Sequence, residues 1–106
     1  MMMVMLHGMI QSVRVCNTKD ERDYLLIHLS VNNSIGARFY WRCKSFLPRH
    51  IKLVGALWEG RRIMIYGQIT DIEAYVSKKT SEPSAEMVMT AIDIQFLDPP
   101  KPGEKV

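Results

Sequence analysis

The chain has 106 residues, of which 47% are hydrophobic and 24% are charged. This balance is typical of one globular domain and excludes a disordered chain, which would bury too little apolar surface to fold. No apolar run approaches the ~20 residues that span a membrane, and the apolar N-terminus lacks the basic leader of a signal peptide. Two cysteines provide neither a disulfide framework nor a metal site. The sequence therefore predicts a cytoplasmic protein, and its net charge of +3 mildly favours an anionic partner.

The first half of the chain has three strand patterns separated by polar turns. Residues 4–15 are apolar and contain Gly8, which is typical of a bend or bulge in a strand. Residues 24–33 alternate between an apolar face and a second face that carries Tyr24 and His28. Residues 38–46, "RFYWRCKSF", form the third predicted strand.

The second half begins with a helix and continues with two strands. Pro48 suits the first turn of a helix over residues 47–60, and Gly60 suits its end. Strands are predicted at residues 61–76 and 87–97, with a polar loop between them.

This order of elements predicts an all-β fold, namely a five-stranded OB-fold Greek-key barrel with one short helix between strands 3 and 4. Another small barrel or an open α+β sheet has the same order of elements. Residues 1–98 are assigned to the OB domain, and residues 99–106 to a short flexible Pro-rich tail.

Four motifs follow one another in the second half of the chain: an aromatic–x–Arg–x–x–x–Phe strand, a helix that ends in glycine, a strand with a central glycine and a closing Ile-x-Phe-Leu strand. In this sequence they are "YWRCKSF" (40–46), Gly60, "IMIYGQI" (63–69) and "IQFL" (94–97). This ordered set resembles the bacterial single-stranded-DNA-binding protein family. The resemblance implies an OB-fold protein that binds single-stranded DNA without sequence preference in DNA replication, recombination or replication restart.

The chain also departs from the family pattern. Members usually carry a long Gly-, Pro- or Gln-rich linker that ends in an acidic tip, and the sequence has neither. A short chain of this kind also resembles primosomal replication proteins of the PriB type and phage- or plasmid-encoded relatives, which adds replication or primosome proteins as partners. The family's stacking aromatic beyond the fourth strand falls near Ala74, so either Tyr75 replaces it or the contact is missing.

Strand alternation divides "RFYWRCKSF" into two faces. Phe39, Trp41 and Cys43 share one face, which is predicted to pack in the core or against another subunit. The other face combines aromatic rings, on which bases stack, with cations that neutralise phosphates. Its residues are Arg38, Tyr40, Arg42, Lys44 and Phe46. A shift of one residue in register would exchange the two faces and make Trp41 the stacking platform.

Further cations lie near the fourth strand. Lys78 and Lys79 follow Tyr75 into the loop between strands 4 and 5, a loop with which OB domains grip nucleic acid. These three residues complete the predicted nucleic-acid-binding set. Arg61 and Arg62 flank a turn and are interpreted as solvated charges.

The sequence contains no catalytic, metal-binding or cofactor-binding motif. The three histidines are far apart and accompany no nucleophile, so an enzyme, a metal and a cofactor are not expected. An alternative to DNA binding is a small OB-fold interaction subunit that docks a protein partner and has incidental nucleic-acid affinity. Aliphatic residues on outward faces, including Leu26 and Met64, predict a homodimer or homotetramer under either interpretation.

Overall fold

The computed structural model describes residues 2–32, 38–76 and 83–99, with only the strand backbone at residues 38, 72–76 and 83–85. The strands are β1 (Met3–Asn17), β2 (Asp23–Asn32), β3 (Arg38–Ser45), β4 (Arg62–Val76) and β5 (Pro83–Phe96). A short helix, α1 (Pro48–Ile51), and a 3₁₀ turn (Val54–Ala56) connect β3 to β4. The strands form a closed barrel in the order β1-β2-β3-β5-β4, in which β3 and β5 are parallel. The predicted all-β, five-stranded OB barrel is confirmed.

β1 belongs to both sides of the barrel. It pairs antiparallel with β4 up to Met9 and with β2 from Met9 onward. Gly8 lies at this change of partner, and a side chain there would overlap the carbonyl oxygen of Ser30. A bulge between Ile10 and Ser12 adds to the bend. The glycine is therefore at the bend that the sequence predicts.

The barrel interior is filled by alternating aliphatic side chains. On β2, Leu25, Ile27 and Leu29 are at most 1% exposed, and on β4 Ile63 and Ile65 are 0% exposed. Burial of one such side chain stabilises a fold by about 1.5–3 kcal/mol. The interior is thus specified by the same period-two pattern that predicts the strands.

The connection between β3 and β4 is less helical than the sequence predicts. One helix is expected over residues 47–60, whereas the chain makes one α-helical turn and one 3₁₀ turn. Val54, which helical spacing assigns to the buried face, is 38% exposed, and Gly55 has a low helix propensity. The break allows Leu57 to enter the core, where it is 0% exposed. Gly60 then ends the segment with a φ of 90°, a conformation that favours glycine.

β5 begins earlier than the sequence predicts. The polar composition of residues 77–86 predicts a loop, but residues 83–86 pair with β4, from Val76 opposite Pro83 to Glu73 opposite Glu86. These residues lack the apolar alternation by which strands are recognised. The backbone pairing therefore extends the sheet where the sequence carries no strand signal.

Arg61 is a buried residue of the fold, so its interpretation as a solvated charge is wrong. Its side chain is 1% exposed, and it donates hydrogen bonds to the carbonyl oxygens of Ala56 (2.6 Å) and Asp98 (3.1 Å). Its guanidinium carbon lies 3.9 Å from the centre of the Phe96 ring. Arg62 Nη2 lies 2.6 Å from the Asp98 carboxylate. These contacts attach residue 98 to the barrel. The domain boundary predicted after residue 98 stays a prediction.

Candidate nucleic-acid interface

β3 presents different side chains to the core and to solvent. Trp41 packs against the core, and Cys43 is 1% exposed within it. Tyr40 lies on the opposite, outer face and is 47% exposed. The structure therefore has the register that the motif spacing favours. Phe39 points to the same side of β3 as Trp41 and Cys43, but it is 52% exposed and so lies outside the core. Its predicted contact with another subunit stays a prediction.

An aromatic–cationic cluster of Arg22, Tyr24, Lys44 and Phe46 lies where β2 begins and β3 ends. The rings of Tyr24 and Phe46 are 5.2 Å apart between centroids, with 34° between their planes. The Arg22 guanidinium carbon is 4.8 Å from the centre of the Phe46 ring, and Lys44 Nζ is 5.8 Å from the centre of the Tyr24 ring. Such contacts hold positive charge against flat rings. The cluster therefore combines the two chemistries that retain a single strand, base stacking and phosphate neutralisation.

Arg22 and Tyr24 were not predicted as site residues, although part of the signal was visible. The alternation of β2 places Tyr24 on its outward face in the sequence. The missing information was the pairing of β2 with β3, which sets Leu25 opposite Ser45 and so brings Tyr24 and Phe46 together.

A shallow hollow continues from this cluster toward α1. It is lined in part by Arg22, Phe46 and Lys52, so Lys52 adds another cation at its rim. Desolvation and a hydrogen bond with Cys16 raise the pKa of Tyr24, which keeps its hydroxyl neutral. The phenol therefore adds no negative charge to this region, and the Asp23 carboxylate, which also lines the hollow, offsets part of the charge of Arg22 and Lys52.

Arg42 lies on the outer face between Tyr40 and Lys44, and it is paired with a carboxylate. Arg42 Nη2 donates to Glu86 Oε2 at 3.1 Å, and His28 Nδ1 lies 4.0 Å from Glu86 Oε1. The Glu86 side chain is only 13% exposed. Burial lowers the pKa of His28, the Glu86 carboxylate opposes that shift, and the Arg42 charge adds to it. His28 is therefore largely neutral at pH 7, and the pair beside it carries almost no net charge.

The structure brings together only part of the predicted set. The outer face of β3 and the residue after it carry Tyr40, Arg42, Lys44 and Phe46. Arg38 belongs to β3 and Tyr75 to β4, but their side chains, and the whole of Lys78 and Lys79, lie outside the described residues.

A second outer surface, the methionine face, is formed by β1 and β4. Its residues are Met3, Met5, Met9, Met64 and Tyr66. Met5 and Met9 are 63% and 45% exposed, and Met5 lines a hollow with Met64 and Tyr66. This face is largely apolar, although Asp93 and Gln95 also line the hollow and the exposed Arg62 lies opposite Met9.

Leu26 does not belong to an exposed face, contrary to its predicted place in a subunit contact. It is 4% exposed. Its strand partners are Arg14 on β1 and Lys44 on β3, whose long aliphatic stems flank it. Met64, the other residue predicted for a subunit contact, is partly exposed.

The described residues include no group of three His, Cys, Asp or Glu side chains placed to hold a metal ion. None of the helices in the described ranges has the length and apolar character to cross a membrane. Ser45 Oγ and His50 Nδ1 are 2.5 Å apart, but they are 1% and 3% exposed. Burial, followed by the Arg49 charge, lowers the pKa of His50. This pair therefore joins β3 to α1 inside the protein, where a substrate has no access.

Comparisons with known proteins agree with the barrel and its size. No protein-family model and no curated protein matches the sequence. A mitochondrial single-stranded DNA-binding protein of S. cerevisiae, Rim1, is similar in structure with a TM-score of 0.67 at 13% identity, over 92% of this chain and 94% of that chain. A Plasmodium falciparum SSB solved in complex with ssDNA has a TM-score of 0.64 at 16% identity, over 91% and 94%. A small single-stranded DNA-binding protein of Streptomyces coelicolor has a TM-score of 0.64 at 10% identity, over 90% and 93%.

The chain is therefore an OB-fold protein of the architecture that these single-stranded DNA-binding proteins share, over nearly the whole length of each chain. The resemblance carried by the four sequence motifs is confirmed at the level of the fold.

Proposed function

We propose that this chain is a non-enzymatic cytoplasmic protein that binds single-stranded DNA with little sequence preference in DNA replication, recombination or replication restart. Bases stack on outward aromatic rings, while lysine and arginine neutralise phosphates. The observation that carries the proposal is the aromatic–cationic cluster, in which Arg22 and Lys44 lie over the paired rings of Tyr24 and Phe46. A fold neighbour of this chain is an SSB solved with ssDNA, which supports the same proposal.

The proposed path follows the outer face of β3. Tyr40 and Phe46 are six positions apart, which corresponds to about 20 Å of extended chain. At 3.4 Å per nucleotide this is the length of about six stacked nucleotides. Tyr40 is 47% exposed and so has a ring available for stacking. Arg38, Tyr75, Lys78 and Lys79 stay in the proposal as predicted contacts along or beside this path.

Titration of the full chain with fluorescent oligo-dT at increasing salt tests the proposal. Each phosphate that is neutralised on a single strand contributes about −0.7 to the slope of log affinity against log salt. The three cations of the cluster and its hollow, Arg22, Lys44 and Lys52, therefore predict a slope of about −2 or steeper. Absence of binding at low salt would reject the proposal. A stoichiometric protein partner that oligonucleotide does not displace would favour the interaction-subunit alternative.

We also propose that two copies of the chain associate through the methionine face, as a homodimer or within a homotetramer. The exposed fractions of Met5, Met9 and Tyr66, at 63%, 45% and 39%, give this face apolar side chains that a second copy would cover. A two-fold contact suits such a face because each copy presents the same patch. Light scattering at micromolar concentration is expected to give a dimer or tetramer, and Met5→Glu is expected to lower the mass. A wild-type monomer would refute this proposal.

A further inference from the structure

The hollow beside the aromatic–cationic cluster combines apolar and charged side chains. Its lining consists of Arg22, Asp23, Phe46, Pro48, Ile51 and Lys52. Three of these residues are apolar, two are cations and one is a carboxylate. The volume of the hollow, about 390 Å³, falls within the ~300–1,000 Å³ that is usual for small-ligand sites. The hollow therefore has the size and the mixed lining of a site for a ligand with an apolar body and polar edges.

This hollow adjoins the path proposed for the single strand. Phe46 belongs to both, because its ring lies 5.2 Å from that of Tyr24 in the cluster and also lines the hollow. Arg22 is shared in the same way, with its guanidinium carbon 4.8 Å from the centre of the Phe46 ring. A strand that follows β3 to Phe46 therefore reaches the hollow without a break, and Arg22 and Lys52 attract the phosphate of the nucleotide that lies there.

Asp23 is unsuited to a site that binds phosphate alone, because its carboxylate repels an anion. Its Oδ1 accepts from Asn17 Nδ2 at 2.9 Å, a contact that holds the carboxylate where β1 ends and β2 begins. A carboxylate has about four lone-pair sites, so Asp23 can accept from Asn17 and also from a ligand. The hydrogen-bond donors of a nucleotide are mainly on its base, as in the amino groups of cytosine and adenine. Asp23 is therefore suited to contact the base rather than the phosphate.

We propose that the hollow binds the base of one nucleotide of the bound strand, and that Asp23 selects a base with an exocyclic amino group. The base packs against Phe46, Pro48 and Ile51, and its amino group donates to the Asp23 carboxylate. Thymine and uracil are disfavoured, because they carry a carbonyl oxygen in place of this amino group and their N–H lies between two such oxygens. The inference rests on the proposed function of this face. It adds a base preference at one position of a strand that is otherwise bound with little regard to sequence.

The test is a competition between two pyrimidine strands. Unlabelled oligo-dC and oligo-dU of about 10 nucleotides each displace fluorescent oligo-dT from the full chain, so that one barrel is measured at a time. Uracil is compared because it lacks the methyl group of thymine and so differs from cytosine mainly at the amino group. One net hydrogen bond predicts that oligo-dC binds about 2- to 10-fold tighter than oligo-dU.

The variant Asp23→Asn assigns this preference to the carboxylate. An asparagine amide both accepts and donates, so it serves cytosine and uracil alike, and the ratio of the two affinities is expected to fall to about 1. Asp20→Asn is the matched control, because it makes the same change in net charge at an exposed residue of the turn between β1 and β2. Both variants change the general attraction for DNA, but only Asp23→Asn is expected to change the ratio.

A modified strand gives a second test that uses the wild type alone. Oligo-dC in which both hydrogens of the amino group are replaced by methyl groups has no donor for Asp23, and it is expected to lose the advantage over oligo-dU. This measurement decides the question even if Asp23→Asn does not fold.

The two proposals fail differently. A wild type that binds none of the strands at low salt rejects the proposed function and this inference with it. A wild type that binds oligo-dC and oligo-dU equally, or a preference that persists in Asp23→Asn or in the methylated strand, overturns the role of Asp23 alone.

Discussion

Replacement of Tyr40 by alanine tests the proposed stacking face at its most accessible ring. The side chain is 47% exposed, so its loss leaves no core cavity and the free energy of unfolding is expected to change by less than about 0.5 kcal/mol. A base stacked on an aromatic ring contributes about 1–3 kcal/mol. The affinity for oligo-dT is therefore expected to fall about 5- to 150-fold, because each 1.4 kcal/mol corresponds to a factor of ten.

Phe39 provides the matched control on the same strand. It is 52% exposed but follows the opposite face of β3, so Phe39→Ala removes a similar ring from the other side. The assay is fluorescence anisotropy with a dT strand of about 10 nucleotides. A strand of this length occupies one OB barrel, so the measured affinity does not include binding to two barrels at once. Phe39→Ala is expected to bind like the wild type. A loss for Phe39→Ala that equals or exceeds the loss for Tyr40→Ala would refute the assignment of the faces.

Two further predictions concern stability. Gly67→Ala is expected to lower the free energy of unfolding by about 1–3 kcal/mol in urea denaturation, because the new Cβ would overlap the Thr90 carbonyl oxygen. Gly55→Ala, where a Cβ meets nothing within 4 Å, is the control, and an equal effect at both positions would contradict the close approach. Acid is expected to destabilise the fold below pH ~6.5, because the unfolded chain binds a proton at His50 that the folded chain, with its lowered pKa, does not. The slope reaches at most about 1.4 kcal/mol per pH unit for each such histidine. His50→Asn should reduce this slope without abolishing it, because the pKa of His28 is also lowered, and an unchanged slope would exclude His50 as a source.

The parts of the fold that follow from local pattern were predictable. Leu25, Ile27 and Leu29 alternate in the sequence and fill the interior, because a strand with one buried face needs apolar residues at every second position. The same alternation separates Tyr40 from Trp41. The helix predicted over residues 47–60 is too long. The apolar residues of this segment recur at helical spacing, but the chain leaves the helix after Ile51 and buries Leu57 in the core.

The features that were not predictable depend on pairing between distant segments. Arg42 and Glu86 are 44 positions apart, and only the parallel alignment of β3 with β5 brings them together. Nothing in the sequence indicates that Arg61 is buried, because an arginine beside a turn is usually solvated. It donates to the backbone carbonyl oxygens of Ala56 and Asp98, and every residue type provides such an acceptor. The residue types therefore predict aromatic and cationic side chains on the outer face of β3, but they do not show that a carboxylate is paired with Arg42.

In the proposed complex, a single strand lies on the outer face of β2 and β3. Backbone amide chemical-shift mapping of the labelled protein, with and without oligo-dT, tests it most directly. The expected result is a set of large shifts at residues 22–26 and 40–46, with little change on the methionine face at residues 3–9 and 62–68. Large shifts confined to the methionine face, or no shifts at all at low salt, would contradict the claim.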